Sequence, residues 1–207
     1  MKQKSAANST RSAKAEQTKV AILASARRAF AEHGYDGVGV RAIAAGAGVT
    51  AMMVNRYFGS KEKLFGEVVA DSMRDPVILS AENLASSDIA RAFASALVGL
   101  TETGASPLDG FLILFRSASS ETAAAIARER IAAAHHATAR QVIESDHAAE
   151  RAGILLAVVA GFQMMRQMIR LEILAKADPA VLTDLMTPLF STILGERAVT
   201  AKAGSGR

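Results

Sequence analysis

Apolar residues recur at three- and four-residue spacing along almost the whole chain, and this period constrains the fold more than any other feature. Alanine is abundant, whereas the alternation of β-branched residues that marks a strand is scarce. Gly34, Ser60 and the pair Asp178-Pro179 supply the stop and start signals expected at helix ends. The sequence therefore predicts an all-α protein.

The clearest periodic segments give approximate helix bounds. The first helix is expected to end at Gly34, and its core-facing stripe is predicted to be Val20, Leu23, Ala26, Arg27 and Phe30. Beyond the first third, one long helix is expected from Ser120 to about Ser145 and another from Glu150 to about Ala175. The last helix is expected between Asp178 and Leu194.

The composition excludes several classes of protein. Half of the 207 residues are hydrophobic, which is enough for a substantial core, and there is no cysteine. Disulfides, thiolate metal sites and a cysteine nucleophile are therefore impossible. We expect no membrane-spanning helix, because Gln163 interrupts the longest apolar run before it reaches roughly 18 residues. Residues 1–14 have no apolar signal-peptide core. We expect a cytoplasmic protein without a membrane partner.

Charge is distributed unevenly along the chain. Residues 1–63 carry eleven Lys and Arg against four Asp and Glu, whereas the remainder is slightly acidic. A basic first third on a nearly neutral body is typical of a head that binds a polyanion such as DNA. A solvated basic arm without a partner gives the same charge pattern and stays open at this point.

A short hairpin within the basic third has the spacing of a DNA-binding motif. Val40 and Ile43 fall on the inner face of one short helix, and Gly48 occupies a turn that needs a positive φ. Thr50 is placed to cap a second short helix that ends at Phe58. Two short helices joined by a tight glycine turn form the helix-turn-helix, although an ordinary helical hairpin fits this spacing equally well.

The stretch from about Thr18 to Glu67 resembles the N-terminal domain of the TetR/AcrR family of bacterial transcriptional regulators. The residues that carry the resemblance occur in the family's order and spacing: Ala21-Ile22-Leu23, Ala29-Phe30, Gly34-Tyr35, Val40-Arg41, Ile43-Ala44, Ala47-Gly48-Val49, Tyr57-Phe58-Gly59-Ser60-Lys61-Glu62 and Leu64. They cover a quarter of the chain.

The resemblance implies a role in DNA binding for residues of the hairpin. Tyr57 and Lys61 match positions that contact phosphates, which fix a protein in register on the duplex without reading sequence. Base reading is expected from the exposed side of the second helix, where Arg56 suits guanine and Asn55 suits adenine. The full set of predicted DNA-binding residues is Arg41, Thr50, Ala51, Met52, Asn55, Arg56, Tyr57 and Lys61.

Some positions depart from the family pattern. Gly39 stands where a Ser or Thr usually caps the helix and touches phosphate, while Met52-Met53 and Asn55 replace other common residues. These changes leave the fold expectation intact and make the operator sequence unpredictable. The basic arm 1–14 is a further candidate for minor-groove contact, with a solvated tail as the alternative.

The resemblance also implies the organisation of the whole chain. We expect an N-terminal three-helix helix-turn-helix DNA-binding domain followed by a larger helical ligand-binding and dimerisation domain, with about nine helices. The predicted segments are a disordered basic arm at 1–14, the DNA-binding domain at 15–63, the helical domain at 64–197 and a disordered tail at 198–207. A homodimer through 150–175 and 178–194 would present two recognition helices to a palindromic double-stranded DNA operator.

A pocket for a small apolar ligand is expected among the middle helices and the penultimate one, if the family architecture holds. The predicted lining is Phe93, Leu97, Phe111, Phe115, His135, Gln163, Met164 and Met168. Residues of this kind at helical spacing are more often plain core. Adjacent His135 and His136 point about 100° apart on a helix, so no metal site is expected, and no cofactor is implied.

The sequence thus indicates a dimeric repressor that a ligand releases from its operator. An activator or ligand-independent regulator of the same fold remains open, as does a helical interaction module without DNA binding. An enzyme is disfavoured, because we find no set of nucleophile, base and orienting group, no glycine-rich phosphate loop and no metal constellation.

Overall fold

The computed structural model describes residues 2–102, 109–143 and 145–195, with side chains from residue 12 onward. Its described part is helical throughout and contains no strand, which confirms the predicted fold class. The helices are α1 (Lys2–His33), α2 (Val40–Gly46), α3 (Ala51–Phe58), α4 (Lys61–Ser72), α5 (Ala81–Leu84), α6 (Ile89–Leu100), α7 (Asp109–Ser117), α8 (Glu121–Ile131), α9 (Ala137–Val142), α10 (Ala148–Gln163), α11 (Glu172–Ala175) and α12 (Pro179–Leu194).

Two π-helical turns lie between these helices. Ala132–His136 joins α8 to α9, and Met164–Met168 follows α10. If α8 and α9 are counted as one helix, and the four-residue helices α5 and α11 are set aside, nine longer helices remain in the described part of the chain, in agreement with the predicted number.

The chain forms two compact units. The first holds α1–α4 together with α7 and α8 as far as Arg130, and the second holds α5, α6 and α9–α12. The unit that contains the helix-turn-helix therefore extends beyond the predicted domain at 15–63. The chain leaves this unit for α5 and α6 and returns to it with α7 and α8.

The first unit is built around one face of α1. Ile22, Ala26 and Phe30 are fully buried there, whereas Val20 is 58 % exposed, so the predicted stripe was displaced at its start. Helical period alone does not distinguish neighbouring stripes when apolar residues are dense on both. The Phe30 ring packs edge-on against Phe65 on α4 with ring centroids 5.1 Å apart, which fixes α1 against α4.

The N-terminal segment differs from the sequence prediction. Residues 2–14, expected as a disordered arm, form the first part of α1. The physical reason is that no glycine or proline interrupts the chain before Gly34, where φ is +69° and the helix ends as predicted. The predicted tail at 198–207 lies outside the described residues.

The second unit is organised by the packing of α6 against α12. Phe93 on α6 and Phe190 on α12 are fully buried and meet edge to face with ring centroids 6.2 Å apart. Each of the two helices begins at an aspartate cap: Asp88 accepts a hydrogen bond from Arg91 N, and Asp178, as predicted, accepts one from Ala180 N. Apolar side chains from α9 and α10 complete the core.

The predicted continuous helix from Glu150 to Ala175 is wrong at its C-terminal end. After Gln163 the helix passes into the π turn, and Arg170 then takes a left-handed conformation with φ +55° before α11 begins. The buried Arg166 guanidinium lies in this turn and donates to Val98 O at 2.6 Å and Leu174 O at 3.2 Å. These contacts are formed where the helix breaks. They cannot be predicted from the spacing of apolar residues in this segment.

The helix predicted from Ser120 to about Ser145 is interrupted in the same way. It starts as expected at Glu121, passes through the π turn at Ala132–His136 and ends at Val142, where Ile143 adopts an extended conformation. His136 Nε2 lies 2.9 Å from Ala149 O on α10, a contact between sequentially distant residues that periodicity does not reveal.

The expectation that no segment is apolar enough to span a membrane is wrong by length and hydropathy. Residues Ala148–Met168 form a 21-residue helical segment with a mean hydropathy of 1.3. Gln163 and Arg166 lie near its end and do not lower that mean enough to exclude it. Core helices of soluble proteins have the same length and composition, so one such segment is weak evidence for a membrane span. Only 11 % of its apolar window is buried within this chain.

Candidate nucleic-acid interface

The two helices of the hairpin meet at a tight glycine turn. Ile43 and Ala44 on α2 are buried, and Val54 and Phe58 on α3 are buried opposite them. Gly48 adopts φ +67° in the turn, as the sequence predicts, and its N–H donates to Ala45 O at 3.1 Å. The hairpin therefore has its own small core and the geometry of a helix-turn-helix.

Helix α3 is fixed at both ends by local hydrogen bonds. Thr50 adopts an extended conformation and its Oγ1 accepts a hydrogen bond from Met53 N at 3.4 Å, which confirms it as the N-cap. At the other end Gly59 takes φ +82° and donates from its N–H to Asn55 O at 2.8 Å. Both ends of the helix are thus closed without the use of its outward side chains.

An exposed face remains on α3 for recognition. Met52, Asn55 and Arg56 lie three and four residues apart, so they share one side of the helix, and all are exposed. Met52 is the extreme case, with 80 % of its surface accessible. A large apolar side chain held so far from any core favours a contact outside the chain.

The other predicted DNA-binding residues surround this face. Arg41 on α2 and Thr50 at the start of α3 are exposed, while Ala51, Tyr57 and Lys61 are half-buried. Gly39 is the N-cap of α2 and makes no side-chain cap bond, as its sequence departure predicts. All of these residues belong to the first compact unit.

Lys61 lies on an aromatic ring at the start of α4. Its ammonium nitrogen is 4.2 Å from the centroid of the Tyr35 ring, within the range of a cation–π contact. The Tyr35 hydroxyl donates to Glu62 Oε1 at 3.0 Å. Tyr35 belongs to the family pattern, but nothing in its sequence position indicates that it contacts Lys61.

The same group of residues has perturbed proton affinities. Burial, together with the bond to Glu62, raises the pKa of Tyr35 to about 12. A hydrogen bond from Ser60 is the largest of the effects that lower the pKa of Glu62, followed by a backbone bond and the bond from Tyr35. At neutral pH the interface thus holds a neutral phenol beside an ionised carboxylate.

Close approach of α1 and α2 depends on two small residues that sequence reasoning missed. Buried Ser25 on α1 donates from its hydroxyl to Ile43 O at 2.8 Å. A Cβ added at Gly46 would lie 2.5 Å from the Ser25 Oγ, so a side chain there would displace this hydroxyl from its bond. The signal available in the sequence was a serine within an otherwise apolar stripe.

Helix α7 is attached to the loop between α1 and α2. Arg116 donates from Nη1 to the carbonyl oxygens of Ala31 and Glu32 in the last turn of α1. The Ser120 hydroxyl donates to Asp36 Oδ1 at 3.2 Å just beyond. These bonds hold the end of α1 and the following loop, and the sequence carried no signal for them.

The predicted ligand residues fall in both compact units. Phe111 and Phe115 lie on α7 in the first unit, where their rings stack with centroids 6.0 Å apart. In the second unit Phe93 and Leu97 are fully buried core residues. The remaining members are half-buried in the second unit and comprise His135, Gln163, Met164 and Met168.

Polar groups near the end of α10 and in the first π turn are the other features of the second unit. Gln167 Nε2 donates to Leu100 O at 3.1 Å, while its buried Oε1 has no partner among the described residues. Burial lowers the pKa of His135. Within the described ranges, no group of three or more His, Asp or Glu is arranged to hold a metal ion.

The hairpin with its glycine turn, its capped second helix and its basic surroundings define a helix-turn-helix regulator. Residues 22–68 match the family described as bacterial regulatory proteins, tetR family. Residues 87–194, more than half of the chain, match the tetracyclin repressor-like C-terminal domain. The chain belongs to the TetR family of bacterial regulatory proteins, as the resemblance implied.

Individual relatives agree with this assignment. The HTH-type transcriptional repressor AcnR of Corynebacterium efficiens is 50 % identical over 44 residues, which are 21 % of this chain and 23 % of that protein. The match thus spans about a quarter of the length of that relative. A crystal structure of a TetR-family regulator from Streptomyces coelicolor is 26 % identical with a TM-score of 0.63, covering 87 % of this chain and 96 % of that one.

One further solved structure contains bound molecules. AibR, in complex with isovaleryl coenzyme A and operator DNA, covers 83 % of this chain and 97 % of its own with a TM-score of 0.57. The superposition shows that the two proteins share a fold, and at 18 % identity it shows the fold alone.

Proposed function

We propose that this chain is a homodimeric transcriptional repressor that binds a palindromic DNA operator and is released by a small apolar ligand. The observation that carries the DNA-binding part is the exposed face of α3. Met52, Asn55 and Arg56 project from a helix whose caps and core make no use of them. The name of the AcnR relative, a transcriptional repressor, supports the sign of regulation.

The contacts that we assign follow from the position of each side chain. Arg56 and Asn55 read base edges in the major groove, and Met52 with Ala51 contacts thymine methyl groups. Thr50, Tyr57, Arg41 and Lys61 contact phosphates around them, which sets the register of α3. The excess of basic residues in 1–63 supplies the non-specific attraction to the duplex.

Dimerisation is supported by a second apolar face on α12. Leu182, Phe190 and Ile193 face the core of their own unit, whereas Val181, Leu185 and Leu189 are exposed at four-residue spacing. Ile154 on α10 is exposed as well. A second copy covering these helices would form a two-fold interface through 150–175 and 178–194.

The proposal that a small apolar ligand binds this chain rests on the flexible methionine side chains around the end of α10. Met164 and Met168, with His135 and Gln163 as polar groups, are the residues that we assign to it in the second unit. Phe93 and Leu97, the fully buried predicted residues of the same unit, remain in the proposed set. The AibR complex supports this part of the proposal, because a protein of the same fold binds both isovaleryl coenzyme A and operator DNA. A regulator of this kind acts on DNA in the cytoplasm, which is the compartment that we propose.

A binding measurement on promoter DNA tests the DNA-binding proposal. We would titrate a labelled duplex from upstream of the protein's own gene with wild type, Arg56→Ala, Tyr57→Ala and Lys61→Ala, using Lys176→Ala as control. Lys176 is an exposed lysine on the second unit. The three interface variants should weaken binding, with Arg56→Ala also relaxing specificity. Equal binding by all variants would show that these three residues are not the DNA contacts, and absence of binding by wild type itself would indicate an interaction module instead.

The ligand and the sign of regulation need separate measurements. A thermal-shift screen of apolar compounds should find a binder, since a ligand at 100 times its Kd stabilises a protein by roughly 2.7 kcal/mol. That compound should then lower the affinity for the promoter duplex and raise expression of a reporter. Raised affinity would indicate an activator or co-repressed regulator, and no effect would indicate regulation without a ligand.

A further inference from the structure

The position of the Tyr35 ring is fixed by contacts that do not involve Lys61. Tyr35 is only 5 % exposed. Its ring lies edge-on to Phe65 with centroids 5.1 Å apart and stacks on Phe30 at 6.1 Å. Its backbone N–H donates to Ser117 Oγ at 3.0 Å, so main chain and side chain are both anchored. One face of a rigid aromatic ring is thereby presented at the start of α4.

Lys61 occupies that face. A lysine side chain has four rotatable bonds, and an exposed lysine samples many rotamers. Here the ammonium lies 4.2 Å from the ring centroid, and Lys61 is half-buried. A cation–π contact leaves N–H groups free to donate to an incoming phosphate oxygen. The ammonium is therefore held in place without losing its capacity to bind an anion.

The hydroxyl of the same tyrosine contacts the neighbouring negative charge. Glu62 follows Lys61 in sequence, and a carboxylate beside a phosphate is repelled. Tyr35 donates from its hydroxyl to Glu62 Oε1 at 3.0 Å, which assigns that carboxylate a fixed partner within the protein. One tyrosine thus contacts both charges of the Lys61-Glu62 pair.

We propose that Tyr35 is a positioning residue for DNA binding, whose ring face holds Lys61 where it meets a phosphate. The inference rests on the proposed function. Tyr35 is nearly inaccessible and does not touch DNA itself. The contact with the ring already restricts the rotamers of Lys61 in the free protein. Phosphate binding therefore does not have to offset that loss of entropy. From the strength of cation–π contacts at partly exposed sites, removing the ring face should weaken DNA binding by about two- to fivefold.

A double-mutant cycle tests this coupling. We would measure the Kd for a labelled mixed-sequence duplex at several salt concentrations by fluorescence anisotropy, because phosphate contacts are independent of sequence. The proteins are wild type, Tyr35→Leu, Lys61→Met and the double variant, with Tyr35→Phe as the ring-preserving control. Lys61→Met should reduce the salt slope by about 1. Tyr35→Leu should weaken binding in the wild-type background and have no further effect beside Lys61→Met.

The outcomes distinguish the inference from the proposed function. If the effects of Tyr35→Leu and Lys61→Met add, Tyr35 acts only through folding, and the positioning role is wrong while DNA binding stands. If Tyr35→Phe weakens binding as much as Tyr35→Leu, the ring face is not responsible. A wild-type protein that binds no duplex at low salt overturns both proposals.

A spectroscopic measurement covers the case in which Tyr35→Leu does not fold. A ring 4.2 Å from the Lys61 nitrogen shifts the ε-methylene protons of Lys61 upfield in the NMR spectrum. The shift should be present in wild type and retained in Tyr35→Phe, with exposed Lys63 as the internal reference. A Lys61 resonance at the position of Lys63 would overturn the proposal.

Discussion

The backbone N–H of Tyr35 donates to the Ser117 hydroxyl at 3.0 Å, which joins the loop after α1 to the last residue of α7. Both residues are buried, and they are 82 positions apart in the chain. Together with the Arg116 and Ser120 bonds, this contact makes α7 part of the scaffold of the helix-turn-helix. Four consequences of the structure are open to direct measurement.

Ser117→Ala should destabilise the protein by about 1–3 kcal/mol, because it leaves a buried backbone N–H without its acceptor. The free energy of unfolding is to be measured by urea denaturation. Ser119→Ala is the matched control, since Ser119 is an exposed serine two residues away, and should change stability by less than about 0.5 kcal/mol. Equal stability of the two variants would show that the Tyr35–Ser117 bond is dispensable.

Substitutions at three glycines should have graded effects. Gly34→Ala places a Cβ 2.4 Å from Arg116 O at φ +69°, so strain and overlap together should cost about 2–5 kcal/mol. Gly48→Ala shares the positive φ but meets open space, and should cost about 1–2 kcal/mol.

The third member of the series is Gly39, an uncapped N-cap with open space around it. Gly39→Ser should stabilise the protein by a few tenths of a kcal/mol by supplying the missing cap. Thermal unfolding of the three variants checks the order, and a Gly34→Ala protein as stable as Gly48→Ala would contradict the close approach to α7.

Leu185→Glu should convert the proposed dimer into a monomer. Leu185 is 68 % exposed on α12, so the change leaves the fold of one subunit intact while placing a charge in the proposed interface. Light scattering after size-exclusion chromatography gives the mass. Val20→Glu on α1, an exposed apolar residue outside that interface, is the control and should remain dimeric. A Leu185→Glu dimer would direct the search to another surface.

Stability should fall as the pH decreases below about 6.5, the usual pKa of histidine. Burial lowers the pKa of His135 in the folded state, so the unfolded chain binds a proton that the folded chain resists. This contribution is fully present above the unfolded pKa and is lost as the pH falls through the folded one. His135→Gln should flatten the dependence between about pH 7 and 5. A His135→Gln protein that keeps the wild-type pH dependence would show that His135 does not cause it.

Local chemistry allowed much of the fold to be predicted. The helix stop at Gly34, the turn at Gly48 and the caps Thr50 and Asp178 each depend on a few adjacent residues, and all are present as predicted. A side chain's exposure on an amphipathic helix is similarly local, so Arg56 and Asn55 fall on the surface.

Features that depend on distant residues were missed. The break after α10 is accompanied by contacts of Arg166 with Val98 and Leu174, and the sequence period continues smoothly through it. The choice of Ile22 over Val20 as the core residue of α1 is set by what packs against that helix. The contact between Tyr35 and Lys61 joins residues 26 positions apart and likewise has no local signal.

The residues of α3 that stabilise the helix are different from those on its exposed face, and this difference has a consequence for the evolution of such a protein. Val54 and Phe58 hold the helix in place, and backbone groups with Thr50 close its ends, so the folding free energy owes little to Met52, Asn55 and Arg56. Mutations at those three positions escape selection against unfolding. A duplicated copy of the gene is thus free to acquire a new target while its scaffold remains constant.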